Sequence, residues 1–356
     1  MTTAKDVAAS LDLSVSTVGR ALSDDPRITT ATKMRVVQAA ESMGYVANRA
    51  AQMMRGASSD IVGVVVPDVS NGFYATIAHA LSEVLTRNQF QMMLAETADD
   101  RTSELRQVRG FAAAQVAGAI VVPTPQPAPE TVRLLRGLPH VQLLRNVATL
   151  TPQWFGIDDE RSLHQATKHL IELGHRRIAF VGGTPDLTTG AARWRGYAGA
   201  MRDAGLSIEP AWGELGPPSS VAHGRAAVDR LSALPDGPTA LVAASVQATR
   251  GVLEELLARG ADVPGELSVV GFGDEVGWSW WGPGLTTLSL PVQQLATTCA
   301  LWLLDRLSAA DATAATAAAG GAYSSTSPGT LVVRGSTAAP SDHATRQQSS
   351  SRSAAH

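Results

Sequence analysis

The sequence predicts two fold classes in one chain: an N-terminal all-α head, and behind it an α/β region of two lobes built on parallel sheets. Three observations predict this. Residues 1–46 carry short apolar patterns at helical spacing. Residues 61–337 alternate uninterrupted apolar runs with longer amphipathic ones, which is the signature of βαβ units. That alternation continues too long for one sheet, so two lobes are expected with a ligand cleft between them. The 356 residues are 44% apolar and 17% charged, enough to bury a core. A net charge of −3 excludes a globally basic nucleic-acid coat but leaves room for one local contact surface. The single cysteine excludes an internal disulfide or a Cys-rich zinc site and fits a reducing compartment. No apolar run approaches about 18 residues and the first ten lack a signal-peptide stretch, so no membrane partner and a cytoplasmic location are expected.

The head reads as three helices. Thr3 stands three residues before Asp6, a capping-box spacing, and Val7 and Leu11 share a face. Asp12 occupies the turn, where aspartate tolerates a left-handed backbone better than most residues. Ser14 caps the second helix, whose inner face is Val18 and Leu22. Thr29 or Thr30 caps the third, with Val36, Ala40 and Met43 inward, and Gly44 ends it. Two short helices joined by a three-residue turn, with a supporting third, have helix-turn-helix geometry. In that geometry the second helix enters the major groove of double-stranded DNA. Val15, Ser16 and Thr17 lead it, with Arg20 one turn further. Only Arg20 among them can make a bidentate contact to guanine, while Ser14 and Thr17 suit phosphates. The same spacing fits a plain three-helix packing module with Arg20 on a solvated face. Seven Lys/Arg against five Asp/Glu over residues 1–57 is a weak charge for a DNA module.

Residues 47–60 form a polar-flanked bridge. Within it, 48–55 makes about two helical turns without a strong cap, a length marginal for an isolated helix. The expectation is a segment disordered off DNA and helical when two copies pair on it. Beyond it, the apolar runs 61–66, 91–95, 119–122, 141–144, 178–181, 240–243, 267–270 and 285–290 suit strands buried on both faces. Helical stretches lie between them at 73–87, 161–173, 193–204, 251–259 and 292–307. Three of these stop at glycine, at Gly174, Gly205 and Gly260. A low-complexity patch at 308–328 reads as a surface loop with some alanine helix, and 338–356 as a disordered tail.

Several blocks carry a resemblance. Lys5-Asp6-Val7-Ala8, Leu13 through Leu22 and Met43-Gly44-Tyr45 come first. Ile61-Val62-Gly63-Val64, Leu173 through Gly183, Ser268 through Phe272, Pro283 through Thr287 and Leu331 through Thr337 follow in order. The chain so resembles the LacI/GalR family of bacterial repressors. The resemblance implies a helix-turn-helix head (1–46), a hinge helix and linker (47–60) and an effector-binding and dimerisation domain (61–337). That domain would have the two-lobed periplasmic-binding-protein type I fold, Rossmann-like, with three crossings between lobes. It implies a homodimer on a near-palindromic operator, with a small-molecule effector shifting DNA affinity. Asp12 and Gly19 stand where the family usually has glycine and serine. The second change removes a hydroxyl that could touch phosphate.

The hinge positions matched are Asn48, Ala51, Met54 and Arg55, with Met54 either wedged into the minor groove or packed on its partner. The effector positions matched are Asn71, Phe73, Tyr74, Thr189 and Arg193. The two aromatics either stack on a ligand ring or pack in the core, and Arg193 either binds the effector or forms a surface ion pair. Arg145 stands where the family often has aspartate, Ser245-Val246 where it has Asn-Asp, and Gly273 where it has the first of two aspartates, leaving Asp274. Three positions thus lose acidic or amide groups and one gains a cation. An anionic effector, a sugar acid or other carboxylate held by Arg145 and Arg193, is the expectation; a neutral sugar or nucleoside-type ligand is the alternative. Trp278, Trp280 and Trp281 either wall the cleft or pack the lobes.

No cofactor, metal or catalytic residue is expected. Gly271 and Gly273 follow a strand, but the next glycine falls at 277 rather than 276, so the dinucleotide fingerprint fails. The histidines lack metal-ligand spacing, and Cys299 lies in an apolar helix where packing explains it. A solute-binding protein would share the larger fold but would need an export signal and no DNA head.

Overall fold

Local capping chemistry sets the helices of the head. The computed structural model describes residues 2–22, 25–45, 59–312 and 323–341. The chain divides into two compact units, Met1–Asp60 and Ile61–His356. In the first, α1 (Ala4–Leu11) starts on a reciprocal capping box: Thr3 Oγ1 accepts from Asp6 N (3.3 Å) and Asp6 Oδ2 from Thr3 N (2.8 Å). Asp12 closes it with φ 52°, the left-handed turn expected of an aspartate there. Then follow α2 (Val15–Leu22) and α3 (Thr30–Ser42), the latter capped by Thr29. Val7, Ala8, Val18, Ala21, Val36 and Ala40 are buried together as one small core. Gly19 is buried beside Val18.

The second unit holds two six-stranded sheets. The first takes β1 (Ile61–Val66), β2 (Gln91–Glu96), β3 (Gly118–Val121), β4 (His140–Leu143), β5 (Trp154–Ile157) and β11 (Ser324–Ser327), in the order β11-β5-β4-β3-β1-β2. The second takes β6 (Ile178–Gly183), β7 (Gly213–Gly216), β8 (Ala240–Ala243), β9 (Ser268–Phe272), β10 (Thr286–Ser289) and β12 (Thr330–Val332), in the order β12-β10-β9-β8-β6-β7. All pairings are parallel except β10 with β12. The chain therefore passes between lobes three times, after β5, after β10 and after β11.

The helices are α4 (Gly72–Arg87), α5 (Arg101–Ala113), α6 (Pro129–Arg136), α7 (Asp159–Glu172), α8 (Thr188–Asp203), α9 (Val221–Ser232), α10 (Val246–Arg259) and α11 (Val292–Ala312). Gly174, Gly205 and Gly260 all take positive φ after α7, α8 and α10, as the stop signals require. Two expectations change. The 91–95 run is an edge strand, mostly exposed rather than buried on both faces, because among the described residues only β1 pairs with it. The 308–328 patch extends α11 and then supplies β11, which needs only the free edge of β5 to form. Residues 313–322 lie outside the described residues.

Glycines let α7 and α8 pack closely. A Cβ at Gly196 would lie 2.2 Å from the Glu160 carbonyl oxygen. The C-terminal segment is also pinned. His175, buried in the turn after α7, contacts the Ala338 carbonyl through Nε2 (2.8 Å) and Thr239 Oγ1 through Nδ1 (2.8 Å). Hydrogen bonds thus continue past Thr337, where the tail is expected to begin; 342–356 lie outside the described residues.

Gly196→Ala should lower unfolding free energy by about 1–3 kcal/mol, since a backbone carbonyl cannot turn aside as a side chain can; urea titration measures this. Burial holds the His140, His169, His175 and His223 imidazoles below the usual range. The unfolded chain therefore binds protons first, and stability should fall as pH drops through about 6.5. His175→Gln should be less stable at pH 7 and show a shallower loss in midpoints measured from pH 7.5 to 5.5.

Candidate functional site: the head and the interlobe cleft

In the head, the packing of α2 decides what faces outward. Val18, Gly19 and Ala21 point into the small core, so Val15 (48% exposed), Ser16 and Arg20 are presented to solvent together. Ser14 is used locally: its Oγ accepts from Thr17 N (3.1 Å) and lies 2.8–2.9 Å from the Thr17 and Ser16 hydroxyls. It is a helix cap first, which orients Thr17 and Ser16. The hinge positions Asn48, Ala51, Met54 and Arg55 lie outside the described residues.

The cleft lies at the carboxyl ends of strands from both lobes. Asn71, Phe73 and Tyr74 follow β1; Asp99 follows β2; Arg145 follows β4; Asp159 follows β5; Ser245 follows β8; Phe272 ends β9; Thr189 and Arg193 come from the first turns of α8. They surround about 620 Å³ of open space. Asn71 and Ser245 cap α4 and α10 through Phe73 N (3.1 Å) and Ala248 N (3.1 Å). The rings of Phe73 and Tyr74 meet edge to face, 5.2 Å between centroids. Gly273 and Asp274, expected in this cleft, line a neighbouring pocket instead, and Asp274 is engaged by Arg334 (2.8 and 3.0 Å). Trp278 is buried in the second lobe's core, Trp281 packs on that core and Trp280 is exposed; none of the three walls the cleft.

Both arginines arrive with carboxylates already attached. Arg145 is buried, its Nη1 bonded to Asp99 Oδ1 and the Pro123 carbonyl (3.1 Å), its Nη2 to Asp99 Oδ2 (3.0 Å). The Tyr74 phenol contacts the same guanidinium, and with Asp99 it holds Arg145 above the usual range despite burial; burial likewise pushes the phenol up. Arg193 donates through Nε to Asp159 Oδ1 (2.7 Å) and through Nη1 to the Ala244 carbonyl (2.9 Å), and stacks 4.1 Å from the Phe272 centroid. Burial pushes the Asp159 carboxyl up and Arg193 draws it back. Of the five N–H groups of Arg193, three keep no partner among the described residues, so it can still donate to a ligand.

Asp99 and Asp159 were not singled out from the sequence. Asp159 was hidden by helix bounds: 161–173 was expected, whereas Asp158 caps a helix that starts at Asp159. Asp99 depends on backbone that no periodicity shows. Ala98 (φ 52°), Asp99 (φ 58°) and Leu144 (φ 64°) are all left-handed, at about 1–3 kcal/mol each. Behind them, buried Glu104 accepts from Thr124 N and Oγ1 (both 2.8 Å), fixing the loop whose Pro123 carbonyl meets Arg145. Burial pushes the Glu104 carboxyl up. Across the cleft, Asn146 N donates to Thr188 Oγ1 (3.2 Å), a direct contact between lobes.

Residues 3–48 match the family described as bacterial regulatory proteins, lacI family, and residues 167–337 match a periplasmic binding protein-like domain. The head is a lacI-family DNA-binding domain, and the relatives of the chain are LacI/GalR-type regulators. It is 28% identical to catabolite control protein A of Priestia megaterium, over 82% of this chain and 88% of that protein. The solved complex of the transcriptional regulator CelR with cellobiose superposes at TM-score 0.67 and 27% identity, covering 95% of this chain and all of that one. The lac repressor dimer bound to operator and an anti-inducer shares the fold at TM-score 0.80 and 23% identity, over 95% of this chain and 99% of that one. With that head and those relatives the chain is a DNA-binding transcriptional regulator with a ligand-binding domain, and its relatives are regulators rather than enzymes. Among the described residues no helix is long and apolar enough to cross a membrane.

Proposed function

We propose that this regulator is a cytoplasmic repressor that binds a near-palindromic operator as a homodimer and is controlled by an uncharged, hydroxyl-rich ring ligand held between its lobes. The pairing of the two arginines carries the ligand class. Asp99, Arg145, Asp159 and Arg193 sum to no net charge. A carboxylate ligand would have to share Arg145 with Asp99 or displace it, and breaking a buried pair costs about 3–5 kcal/mol. A sugar or nucleoside asks less: hydroxyls can accept from the spare N–H groups of Arg193 and from the Asn71 amide, while Phe73 covers a ring face. The relative CelR carries an uncharged disaccharide in its solved complex. The neutral alternative is therefore favoured here over the sugar acid.

The dimer is supported by two observations. Helix-turn-helix heads read half-sites in pairs. The edge strand β2 leaves Met93 and Leu94 about two-fifths exposed with nothing paired beyond them, a surface proteins normally cover.

Titration calorimetry against matched pairs such as glucose and glucuronate, and against nucleosides, tests the ligand class. The effector should come from the uncharged members, and Arg193→Ala should weaken it by about 1.5–3 kcal/mol, the worth of charge-assisted hydrogen bonds. Tight binding confined to the acids, and lost in Arg145→Gln, would overturn the reading. Selection from random duplexes should return a two-fold symmetric site with guanine in each half. Arg20→Ala should relax that position and cost about 1–3 kcal/mol per half-site.

A further inference from the structure

Arg145 is a cation buried at the floor of a ligand cleft, and the chain bends its backbone twice to neutralise it. Ala98 and Asp99 both take left-handed conformations so that the Asp99 carboxylate meets the guanidinium end-on, its two oxygens on Nη1 and Nη2. Leu144, also left-handed, turns Arg145 toward it. The strut from Glu104 through Thr124 holds the third partner, the Pro123 carbonyl. The Tyr74 phenol takes a further contact on the guanidinium. Asp99 remains partly open to the cleft, with 22% of its side chain exposed, whereas Arg145 is 5% exposed. A ligand therefore meets the carboxylate before it meets the cation.

We infer that Asp99 is the charge-selectivity residue of this cleft: by occupying Arg145 from within the protein, it makes the site refuse carboxylate ligands that Arg145 would otherwise bind. This rests on the reading of the cleft as the effector site, and it deepens that reading by assigning the refusal to one side chain. The logic is that of an internal ligand. A guanidinium fork recognises a carboxylate by two parallel N–H···O bonds, and Asp99 already makes both. An incoming anion faces the repulsion of Asp99 and finds the Nη1/Nη2 fork taken, with the Pro123 carbonyl and the Tyr74 phenol on the guanidinium besides. Without the Asp99 carboxylate the same pocket holds a desolvated, uncompensated cation, which is the strongest kind of small-anion site. Arg193 does not repeat the arrangement, because Asp159 engages it through Nε alone and leaves Nη2 for a ligand.

The test uses the full-length protein with acetate as the probe, which is small enough to replace a side-chain carboxylate. Asp99→Asn and Asp99→Gly both suit a φ of 58°, since asparagine and glycine enter the left-handed region most readily. The two variants guard against one failing to fold. Thermal midpoints and titration calorimetry are measured with sodium acetate against sodium chloride at equal ionic strength. Both variants should bind acetate at least tenfold more tightly than the wild type and be stabilised by it, and Asp99→Asn/Arg145→Gln should lose the effect. Equal acetate response in the wild type and both variants, or a double variant that binds as well as Asp99→Asn, would overturn the assignment. Should the wild type bind glucuronate through Arg193, with Arg193→Ala abolishing it while the Asp99 variants still gain acetate, the neutral-ligand reading fails and the assignment of Asp99 stands; wild-type binding of acetate through Arg145 overturns the assignment itself, so the two failures are separable.

Discussion

A guanidinium out of water must have its charge answered before anything else can be built around it. Two of them line this cleft, and each lobe answers its own: Asp99 for Arg145 in the first, Asp159 for Arg193 in the second. Much of the surrounding construction follows from that demand. The left-handed backbone at Ala98, Asp99 and Leu144 is energetically unfavourable on its own and makes sense as the way to bring a carboxylate and a guanidinium together at two strand ends. The close approach of α7 and α8, allowed by Gly196, sets the Asp159–Arg193 distance. Glu104, itself buried with a raised pKa, is tolerable because both its oxygens are hydrogen-bonded and because it fixes the loop that completes the Arg145 site. One buried charge thus draws in a second and a third.

The architecture was largely legible from the residues. Apolar runs bounded by turn formers located most of the strands to within a residue or two, and glycine marked three helix ends by a conformation only it adopts cheaply. Asp12 was readable as a left-handed turn for the same kind of reason. The strands that escaped notice, β5, β7, β11 and β12, are short, and β11 and β12 form only because an existing sheet offers a free edge. That is tertiary context, which local pattern does not encode. The cleft was half legible. Arg145 and Arg193 stood out as cations, but their partners are 46 and 34 residues away in sequence and are brought to them by strand ends and an unforeseen first turn of α7. Reading the cations without their counter-charges points to an anionic ligand; the pairs are what the proposed neutral-ligand reading adds.

The two sites handle charge in opposite ways, and this has a thermodynamic consequence. The head exposes Arg20 beside Val15 and Ser16, and a head set on a phosphate-rich duplex releases counterions, so its binding weakens with salt. The cleft pairs its two arginines internally, so on the proposed reading binding there draws on ring burial and hydrogen bonds, which salt barely screens. Coupling between ligand and DNA is reciprocal in free energy, yet only one side of the coupled pair responds strongly to ionic strength. Changes in salt would then shift operator occupancy while leaving the ligand's intrinsic preference between lobe arrangements nearly constant. The contacts between the lobes, Asn146 N on Thr188 Oγ1 and Phe73 packed against both cores, involve no net charge. On the proposed reading, a neutral ligand driving a charged reader would keep the effector response steady across conditions that change DNA affinity many-fold. Such separation would be lost if the cleft held an unpaired arginine.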